Sequence, residues 1–503
     1  MLQQSASLVT ESGRVQGIKS QSVSAEVPID CFLGIPYAAP PVQDLRWKAP
    51  QAPAKWNDIR QCSNFAADFP QTVNSLFRAP HQSEDCLHLN VWTPEVNNSQ
   101  KLPVMVWIHG GGFVGGSGSD IRSDGALMAS KGVVVVSFNY RSGVFGFLAH
   151  PALSSESEFN VSGNYGLLDQ IAALKWVQKN IDQFGGDPNR VTLFGVSAGS
   201  ASISLLLTCA QAKGLFHQVI LHSPGAARPL ATLAEADALS VKELGSDLAH
   251  LRSLDAQQIF KLTGLLNPKI RGLTTPRILR PILDGYLLTH NERDVFKSHQ
   301  QAILPMIVGS NLDEGSLLTK DWTIKSMDDY IGLVNTNFND FASEALQLYS
   351  AKNESDVMGC VAQLFGDTQF NYGTRLLAQS NSNQVEKTWR YLFAKRRPSQ
   401  TDGPHHGQEV AHVFGNFSAK ITTVENDYDH QDKFISDAML NYWVQFAYTG
   451  NPNQSSLPAW PKYEIGLDNM IVFGNEISNQ TGYRQKNLDF IDRYFDANKT
   501  STL

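Results

Sequence analysis

The residues best suited to chemistry lie in the run FGGDPNRVTLFGVSAG, from Phe184 to Gly199. A short apolar stretch typical of a buried strand precedes Ser197, and residues 201–207 have the composition of a buried helix. A serine in a tight strand-to-helix turn is a nucleophile elbow, where Gly195 and Gly199 avoid the clashes that larger side chains would cause. The turn would expose the Ser197 hydroxyl at a helix N-terminus, whose amides stabilise a developing oxyanion. The pattern therefore predicts nucleophilic catalysis by serine.

A bare GxSxG motif is short and also fits an ordinary turn of small residues. Acyl transfer needs three further components, namely a base for the serine proton, an acid that orients the base, and donors for the oxyanion. Other motifs of this chain can supply all three. They are GIPYAAPP (34–41) with LRW (45–47), SEDCLHLNVW (83–92), WIHGGGF (107–113), NYRSGVFGFL (139–148), GNYGLLDQ (163–170), DEGS (313–316), HHGQE (405–409) and FAYTGNPN (446–453).

Together with the elbow, these motifs resemble the type B carboxylesterase and cholinesterase family of α/β-hydrolases, and the bacterial carboxylesterases within it. The resemblance covers nearly the full length and keeps the family's order. It implies a Ser, Glu, His triad in which Glu314 is the acid and His406 the base. Asp313 and His405 are the adjacent rivals for these roles, and a solvated loop residue is the alternative for each.

The resemblance also implies an oxyanion hole formed by the backbone amides of Gly111, Gly112 and Ala198. Three consecutive glycines after a strand let amides converge where side chains would obstruct, although a glycine run can also be a plain turn. Ser223 matches a family serine that supports the acid and the base by hydrogen bonding. The pairs Arg46 with Glu84 and Arg141 with Asp169 match family ion pairs that tie loops to the sheet.

Two positions depart from the family pattern. Val196, beside the serine, stands where most relatives have Glu, which removes an anion near the predicted base. Leu76 stands where cholinesterases have the tryptophan that stacks on choline, so a quaternary ammonium would lose its cation–π partner unless Phe77 or Trp322 replaced it. We therefore expect a preference for neutral short-chain or aromatic esters over choline esters.

The five cysteines, Cys31, Cys62, Cys86, Cys209 and Cys360, show no spacing typical of metal ligands. In eukaryotic relatives the equivalent of Cys86 pairs with an upstream cysteine, but Phe69 occupies that position here. We expect Cys86 to be a free thiol and the chain to lack disulfides.

The chain has 503 residues and a formal net charge of -7. It has no apolar run of the roughly 20 residues that a membrane span requires, and no extended basic face of the kind that binds nucleic acid or an anionic membrane. The N-terminus lacks the pattern of a signal peptide, which favours a cytoplasmic location. The expected partner is a small-molecule ester, with no nucleic acid, membrane, metal or organic cofactor involved.

Alternation of strand-like and helical segments predicts an α/β-hydrolase fold, in which a mostly parallel sheet carries helices on both faces. We expect one domain over residues 1–503, with mainly helical insertions near 225–300 and 319–384. Antiparallel strands are expected between residues 8 and 37, and helices at 169–181, 436–450 and 488–495. Further strands are expected at 89–92, 104–108, 133–138, 191–194, 219–221, 387–394 and from 306 towards Glu314.

The leading hypothesis is a serine carboxylic-ester hydrolase that works through an acyl-serine intermediate. A non-catalytic adhesion protein of the same family is disfavoured, because Ser197, Glu314 and His406 are all present. A lipase acting at lipid interfaces is also disfavoured, because the 230–266 segment is too highly charged for an apolar lid.

Overall fold

A computed structural model describes residues 3–20, 28–96, 100–268, 270, 272–417 and 428–498. Within these residues, thirteen strands form one sheet. They are β1 (Gln4–Thr10), β2 (Gly13–Ser20), β3 (Ile29–Pro36), β4 (Arg60–Gln61), β5 (His88–Thr93), β6 (Leu102–Ile108), β7 (Val134–Phe138), β8 (Gly186–Val196), β9 (Gln218–His222), β10 (Met306–Asn311), β11 (Thr388–Phe393), β12 (Asn469–Phe473) and β13 (Ile477–Thr481).

The strand order is β1-β2-β3-β5-β7-β6-β8-β9-β10-β11-β12-β13, with β4 paired to β2. From β7 to β12 every neighbouring pair is parallel, whereas the pairs at both ends of the sheet are antiparallel. The predicted mostly parallel sheet with antiparallel strands near the N-terminus is therefore confirmed.

The helices of the described residues cover both faces of this sheet. They are α1 (Ala126–Ser130), α2 (Gly143–Phe147), α3 (Pro151–Glu156), α4 (Tyr165–Asn180), α5 (Ala198–Thr208), α6 (Leu233–Leu244), α7 (Leu248–Ser253), α8 (Ala256–Leu266), α9 (Glu292–Lys297), α10 (Ser316–Thr319), α11 (Met327–Phe338), α12 (Ala342–Leu348), α13 (Glu354–Gly366), α14 (Tyr372–Ser382), α15 (Glu409–Phe414), α16 (His430–Thr449) and α17 (Gln485–Ala497).

The core forms two large clusters, one on each face, because successive side chains of a strand point to opposite sides. In β6, Val104, Val106 and Ile108 belong to one cluster, while Met105 and Trp107 belong to the other. All five side chains are buried, which explains why this strand has a continuous apolar run instead of alternation.

Three details of the sequence prediction were wrong. The strand expected to reach Glu314 ends at Asn311, and the helix expected at 436–450 begins six residues earlier, at His430. The strands β12 and β13 were missed altogether.

The predicted ion pairs are present. Arg46 Nε and Nη2 donate to Glu84 at 2.7 and 2.5 Å, and Arg141 Nε and Nη2 donate to Asp169 at 2.8 and 2.7 Å. Arg46 Nη1 also donates to the carbonyl oxygen of Leu254 at 2.8 Å, so this pair joins the sheet edge to the helical insertion.

All five cysteines lie among the described residues and are buried and unpaired. The predicted free thiol of Cys86 is confirmed, and burial raises its pKa well above the usual value. Among the described residues, no helix is both long enough and apolar enough to cross a membrane.

Candidate active site

The candidate site lies at the carboxyl edge of the parallel sheet. Strands β6, β8, β9, β10 and β11 are successive neighbours there, and the loops that follow them meet at one edge. Each loop carries one component predicted from the sequence. In sheet order these are the glycine run 110–112, Ser197, Ser223, Glu314 and His406.

Ser197 occupies the sharp turn between β8 and α5. Its φ of 57° and ψ of −119° place it in the region that disfavours side chains, and its amide donates to the carbonyl oxygen of His222 at 2.9 Å. A Cβ at either Gly195 or Gly199 would collide with the carbonyl oxygen of Ile108, in the neighbouring strand. The glycines therefore let β6 pack closely against the elbow and support its strained backbone.

Glu314 and His406 form the closest carboxylate–imidazole contact at this edge. Glu314 Oε2 lies 2.5 Å from His406 Nδ1, and the two side chains are 0% and 8% exposed. The other carboxylate oxygen accepts hydrogen bonds from Ser223 Oγ and from the amide of Asn311, both at 2.6 Å. Three partners thus fix the carboxylate, which in turn orients the imidazole.

The second ring nitrogen of His406, Nε2, is buried and makes no hydrogen bond with any described residue. His406 and Ser197 line the same cavity, of about 460 Å³. Hydrogen bonds between a nucleophile and its base are often long in a structure without substrate, and they shorten when substrate binds. With no partner among the described residues, Nε2 is available to accept a proton.

A π-helical turn, Asp367–Asn371, joins α13 to α14 and holds Phe370 against His406, with ring centroids 4.2 Å apart. Phe370 and the preceding Phe365 also line the cavity. Such turns occur often at functional sites. This contact was not predicted, because helical periodicity alone does not locate a single π turn.

The glycine loop after β6 presents two unused donors. Gly111 and Gly112 have φ values of 124° and 65°, and neither amide donates to another described residue. Two hydrogen bonds anchor the far end of the loop. The amide of Gly116 donates to Gln71 Oε1 at 2.7 Å, and Gln71 Nε2 donates to the Gly116 carbonyl oxygen at 2.8 Å. The amide of Ala198, in the first turn of α5, has no acceptor within its own helix.

The rivals Asp313 and His405 form a separate pair. Asp313 Oδ2 lies 3.6 Å from His405 Nδ1, and neither residue borders the cavity that contains Ser197. Burial raises the pKa of Asp313, but hydrogen bonds from His405 and Ser316 lower it more, so the pKa lies well below the usual value. With the exposed Asp402 these two residues form the one group of three possible metal-ligating side chains found among the described residues.

The two residues that depart from the family pattern, Val196 and Leu76, differ in whether they line the cavity. Val196 lines the cavity and is 8% exposed. Leu76 does not line it, whereas its neighbour Phe77, named above as a possible replacement for the tryptophan, does. Trp322 is buried against Phe365 and does not reach the cavity.

Glu409 is a buried carboxyl group that the sequence analysis noted only as the end of the HHGQE motif. Asn311 Nδ2 donates to its Oε2 at 2.5 Å, and His222 Nδ1 lies 3.7 Å from its Oε1. Burial, reinforced by the negative charge of Glu314, raises the pKa of Glu409 to about 7. A second carboxyl group therefore lies behind the Glu314–His406 pair.

Comparison with known proteins agrees with this architecture. The model of the carboxylesterase family matches residues 4–491. A solved structure of PNB esterase superposes with a TM-score of 0.82 at 32% identity, covering 98% of this chain and 100% of that one. The fold is thus that of an α/β-hydrolase.

Two characterised relatives extend over most of the chain. It is 43% identical to the fumonisin B1 esterase of Sphingopyxis macrogoltabida, covering 94% of this chain and 87% of that protein. It is 34% identical to the para-nitrobenzyl esterase of Bacillus subtilis (strain 168), covering 94% and 95%. The chain belongs to the carboxylesterase family and is a carboxylic-ester hydrolase.

Proposed function

We propose that this enzyme cleaves carboxylic esters through an acyl-serine intermediate, with Ser197 as nucleophile, His406 as general base and Glu314 as the acid that orients it. The observation that carries the proposal is the buried Glu314–His406 contact at 2.5 Å, together with the unpartnered Nε2 of His406 and the cavity that His406 and Ser197 both line. A fixed carboxylate and an available ring nitrogen are what a serine hydrolase needs to activate its nucleophile.

In the first half of the reaction, Ser197 Oγ attacks the ester carbonyl carbon while its proton moves to His406 Nε2. The charge of Glu314 stabilises the resulting imidazolium. The amides of Gly111, Gly112 and Ala198 bind the oxyanion, and each such donor is worth about 3 kcal/mol of transition-state stabilisation. When the intermediate collapses, the alcohol leaves with the proton from His406, and the acyl group remains on Ser197.

Water completes the cycle. His406 removes a proton from water, the hydroxide attacks the acyl carbon, and the same oxyanion site binds the second tetrahedral intermediate. Its collapse releases the carboxylic acid and returns the proton to Ser197 Oγ. Ser223 contributes by holding Glu314, and Val196 by leaving the surroundings of His406 without an additional anion.

Neutral short-chain and aromatic esters are the proposed substrates in preference to acylcholines. Leu76, which stands where cholinesterases have the choline-stacking tryptophan, does not line the cavity; the neighbouring Phe77 does line it, and phenylalanine binds a quaternary ammonium group less strongly than tryptophan. We expect kcat/KM for ethyl butyrate to exceed that for butyrylcholine by about tenfold or more. Equal or greater efficiency on the choline ester would contradict this preference.

We also propose a single domain over residues 1–503 and a cytoplasmic location. Both insertions contribute residues to the cavity, Arg228 and Arg277 from the first and Phe370 from the second, which supports one cooperative unit. Five unpaired cysteines suit a reducing compartment.

The proposal is tested by p-nitrophenyl butyrate hydrolysis with wild type and Ser197→Ala. We expect the variant to lose nearly all turnover while its melting temperature stays close to wild type, since Ser197 Oγ is not used in packing. Turnover by the variant at more than about one thousandth of the wild-type rate would contradict the assignment of the nucleophile.

A further inference from the structure

His109 is a buried histidine of the WIHGGGF motif that the proposed reaction does not use. It directly precedes the glycine run, borders the cavity that Ser197 lines, and is 4% exposed. Its Nδ1 lies 2.8 Å from the carbonyl oxygen of Gly110. Because a carbonyl oxygen carries no hydrogen, Nδ1 is the donor in this bond. Burial lowers the pKa of His109 to about 4, so the ring is neutral near pH 7 and Nδ1 carries its one N–H.

The Gly110 carbonyl belongs to the same peptide unit as the Gly111 amide. In a trans peptide the C=O and N–H bonds point in opposite directions, so a bond that fixes one of them also fixes the other. The His109 ring therefore sets the direction in which the Gly111 N–H points. This peptide lies beside the nucleophile, because a Cβ on Gly110 would be 3.1 Å from Ser197 Cβ and 2.9 Å from the Val196 carbonyl oxygen.

The next peptide of the loop is held by backbone groups. The Gly111 carbonyl oxygen accepts from the amides of Val114 and Gly115, at 3.1 and 3.0 Å. The direction of the Gly112 N–H follows from these bonds by the same trans geometry. Of the two loop donors, Gly111 is thus the one whose peptide is held by a side chain.

Neighbouring residues fix the His109 ring. Tyr140 stacks on it, with ring centroids 4.4 Å apart and 15° between the planes, and donates from Oη to the His109 carbonyl oxygen at 3.0 Å. Gly116 covers the bond between the ring and Gly110, because a Cβ there would be 2.2 Å from His109 Nδ1 and 2.1 Å from the Gly110 carbonyl oxygen. Gln71 holds Gly116 through two hydrogen bonds. The bond is therefore enclosed before any substrate enters.

The other ring nitrogen of His109, Nε2, is unfavourable for stability. It is buried and has no hydrogen-bond partner among the described residues. A buried polar atom without a partner costs free energy, and a phenylalanine ring would fill nearly the same space without one. The histidine is therefore explained by its Nδ1 donor and not by packing.

We propose that His109 is a positioning residue of the oxyanion hole, which aims the Gly111 amide at the oxyanion that forms on the substrate at Ser197. This inference rests on the proposed function and refines it, since it names the side chain that holds one of the oxyanion donors. Without the bond, the Gly111 amide can turn away. The loss then falls on the transition state, in which negative charge develops, and not on binding of the neutral ester.

Variants at position 109 separate the Nδ1 donor from the size of the ring. His109→Phe keeps a flat ring against Tyr140 but removes the donor, so kcat for p-nitrophenyl butyrate should fall about a hundredfold, with KM changed less than about threefold. His109→Asn places an N–H close to the position of Nδ1 and should recover about tenfold of that loss. His109→Gln, whose amide nitrogen lies closer to the position of Nε2, should not recover it.

A pair of inhibitors provides a readout that a purely structural role would not change. The ketone 1,1,1-trifluorohexan-2-one adds to Ser197, because Oγ bonds to the carbonyl carbon, the C=O electron pair moves to oxygen as an oxyanion, and the Oγ proton moves to His406 Nε2. The alcohol 1,1,1-trifluorohexan-2-ol is of similar size but cannot add. In His109→Phe the inhibition constant of the ketone should rise about a hundredfold, while that of the alcohol should change less than about threefold.

His150→Phe is the matched control. His150 is also buried, and its Nε2 lies 2.9 Å from the carbonyl oxygen of Gly245, away from the cavity lining. This variant should lose stability but keep the wild-type kcat and both inhibition constants.

Tyr140→Phe is a second test, which decides the question if His109→Phe does not fold. It removes the hydroxyl that holds the His109 carbonyl and leaves the stacked ring in place. The inhibition constant of the ketone should rise about fivefold, as expected for one lost hydrogen bond, with that of the alcohol unchanged. A wild-type constant for the ketone in this variant would contradict the inference.

A wild-type kcat in His109→Phe, equal activities of the Asn and Gln variants, or ketone and alcohol constants that rise together would overturn the inference while the proposed function stands. So would a displaced acid limb of the kcat/KM profile in His109→Phe, because the variant would then act through His406. Turnover by Ser197→Ala, or binding of the ketone to that variant as tightly as to wild type, would instead overturn the proposed function.

Discussion

Two histidine–carboxylate pairs lie one residue apart in this protein, and they are built differently. Glu314 and His406 are 2.5 Å apart and almost fully buried beside the cavity. Asp313 and His405 are 3.6 Å apart, 20% and 21% exposed, and away from it. The same residue chemistry thus occurs twice, and only His406 of the two histidines lines the cavity that Ser197 lines.

The difference arises from what the carboxylates hold. Asp313 accepts from the amide of Ser316 at 3.0 Å and from that of Gly403 at 3.1 Å, so it stabilises the start of α10 and the loop before His405. Glu314 holds His406, and Ser223 and Asn311 hold Glu314. We conclude that the outer pair, Asp313 and His405, shapes the loops that carry the inner pair, Glu314 and His406.

The largest expected difference is between the two histidines. His406→Ala removes the proposed base and should lower kcat for p-nitrophenyl butyrate about 10⁴- to 10⁶-fold. His405→Ala should lower it less than about tenfold, because His405 does not border the cavity. Steady-state kinetics of both variants measure this contrast. A comparable loss of kcat in the two variants would contradict the claim that only the Glu314–His406 pair takes part in the reaction.

The two carboxylates provide the next comparison. Glu314→Gln keeps the shape but removes the charge proposed to stabilise the imidazolium, and should lower kcat about 10⁴-fold. Asp313→Asn should instead cost about 1 kcal/mol of unfolding free energy through weakened loop hydrogen bonds, with a small effect on kcat. Kinetics combined with urea unfolding separate the two effects. A catalytic loss in Asp313→Asn that matches the loss in Glu314→Gln would show that the outer pair acts in the reaction.

A third carboxyl group, Glu409, is expected to affect the pH dependence of stability. Its pKa of about 7 in the folded protein lies above the usual 4.5, so the folded state binds more protons and stability falls as pH rises between these values. Glu409→Gln should remove this fall and make the protein about 3 kcal/mol more stable than wild type above pH 7, with little difference below pH 4.5. Unfolding free energies measured from pH 4 to 9 test this. Parallel pH profiles for the two proteins would contradict it.

The smallest expected effect comes from Val196. A glutamate there would place an anion near His406 and favour its protonated, inactive form, so Val196→Glu should move the acid limb of the kcat/KM profile upward by about one pH unit. Val196→Gln is the control of similar size without charge and should leave the limb in place. An unchanged limb in Val196→Glu, or one that moves down, would refute this.

Much of the fold and of the candidate site follows from local sequence. The elbow glycines, the apolar run of β6 and the order of the motifs predicted the central sheet and which loops meet at its edge. Strand β12 was missed although Gly474 and Asn475 after it are a turn signal, because Asn469–Phe473 is short and its identity depends on pairing with β11.

The remainder depends on tertiary packing. The positions of Arg228 and Arg277 follow from how the insertions fold over the sheet, and the contact of Phe370 with His406 follows from one π turn. The buried state of Glu409 depends on β9, β10 and β11 packing around it. No local pattern separates Glu314 from Asp313, since a shift of one residue decides which carboxylate faces inward.

The most direct test of the central claim is covalent labelling of Ser197 by a serine-directed phosphonate, followed by intact mass and peptide mapping. We expect one adduct, on Ser197, formed at similar rates in wild type and His405→Ala, and formed at least a thousandfold more slowly in His406→Ala. An adduct on another serine, or equal labelling rates in the two histidine variants, would contradict the claim that the Glu314–His406 pair activates Ser197.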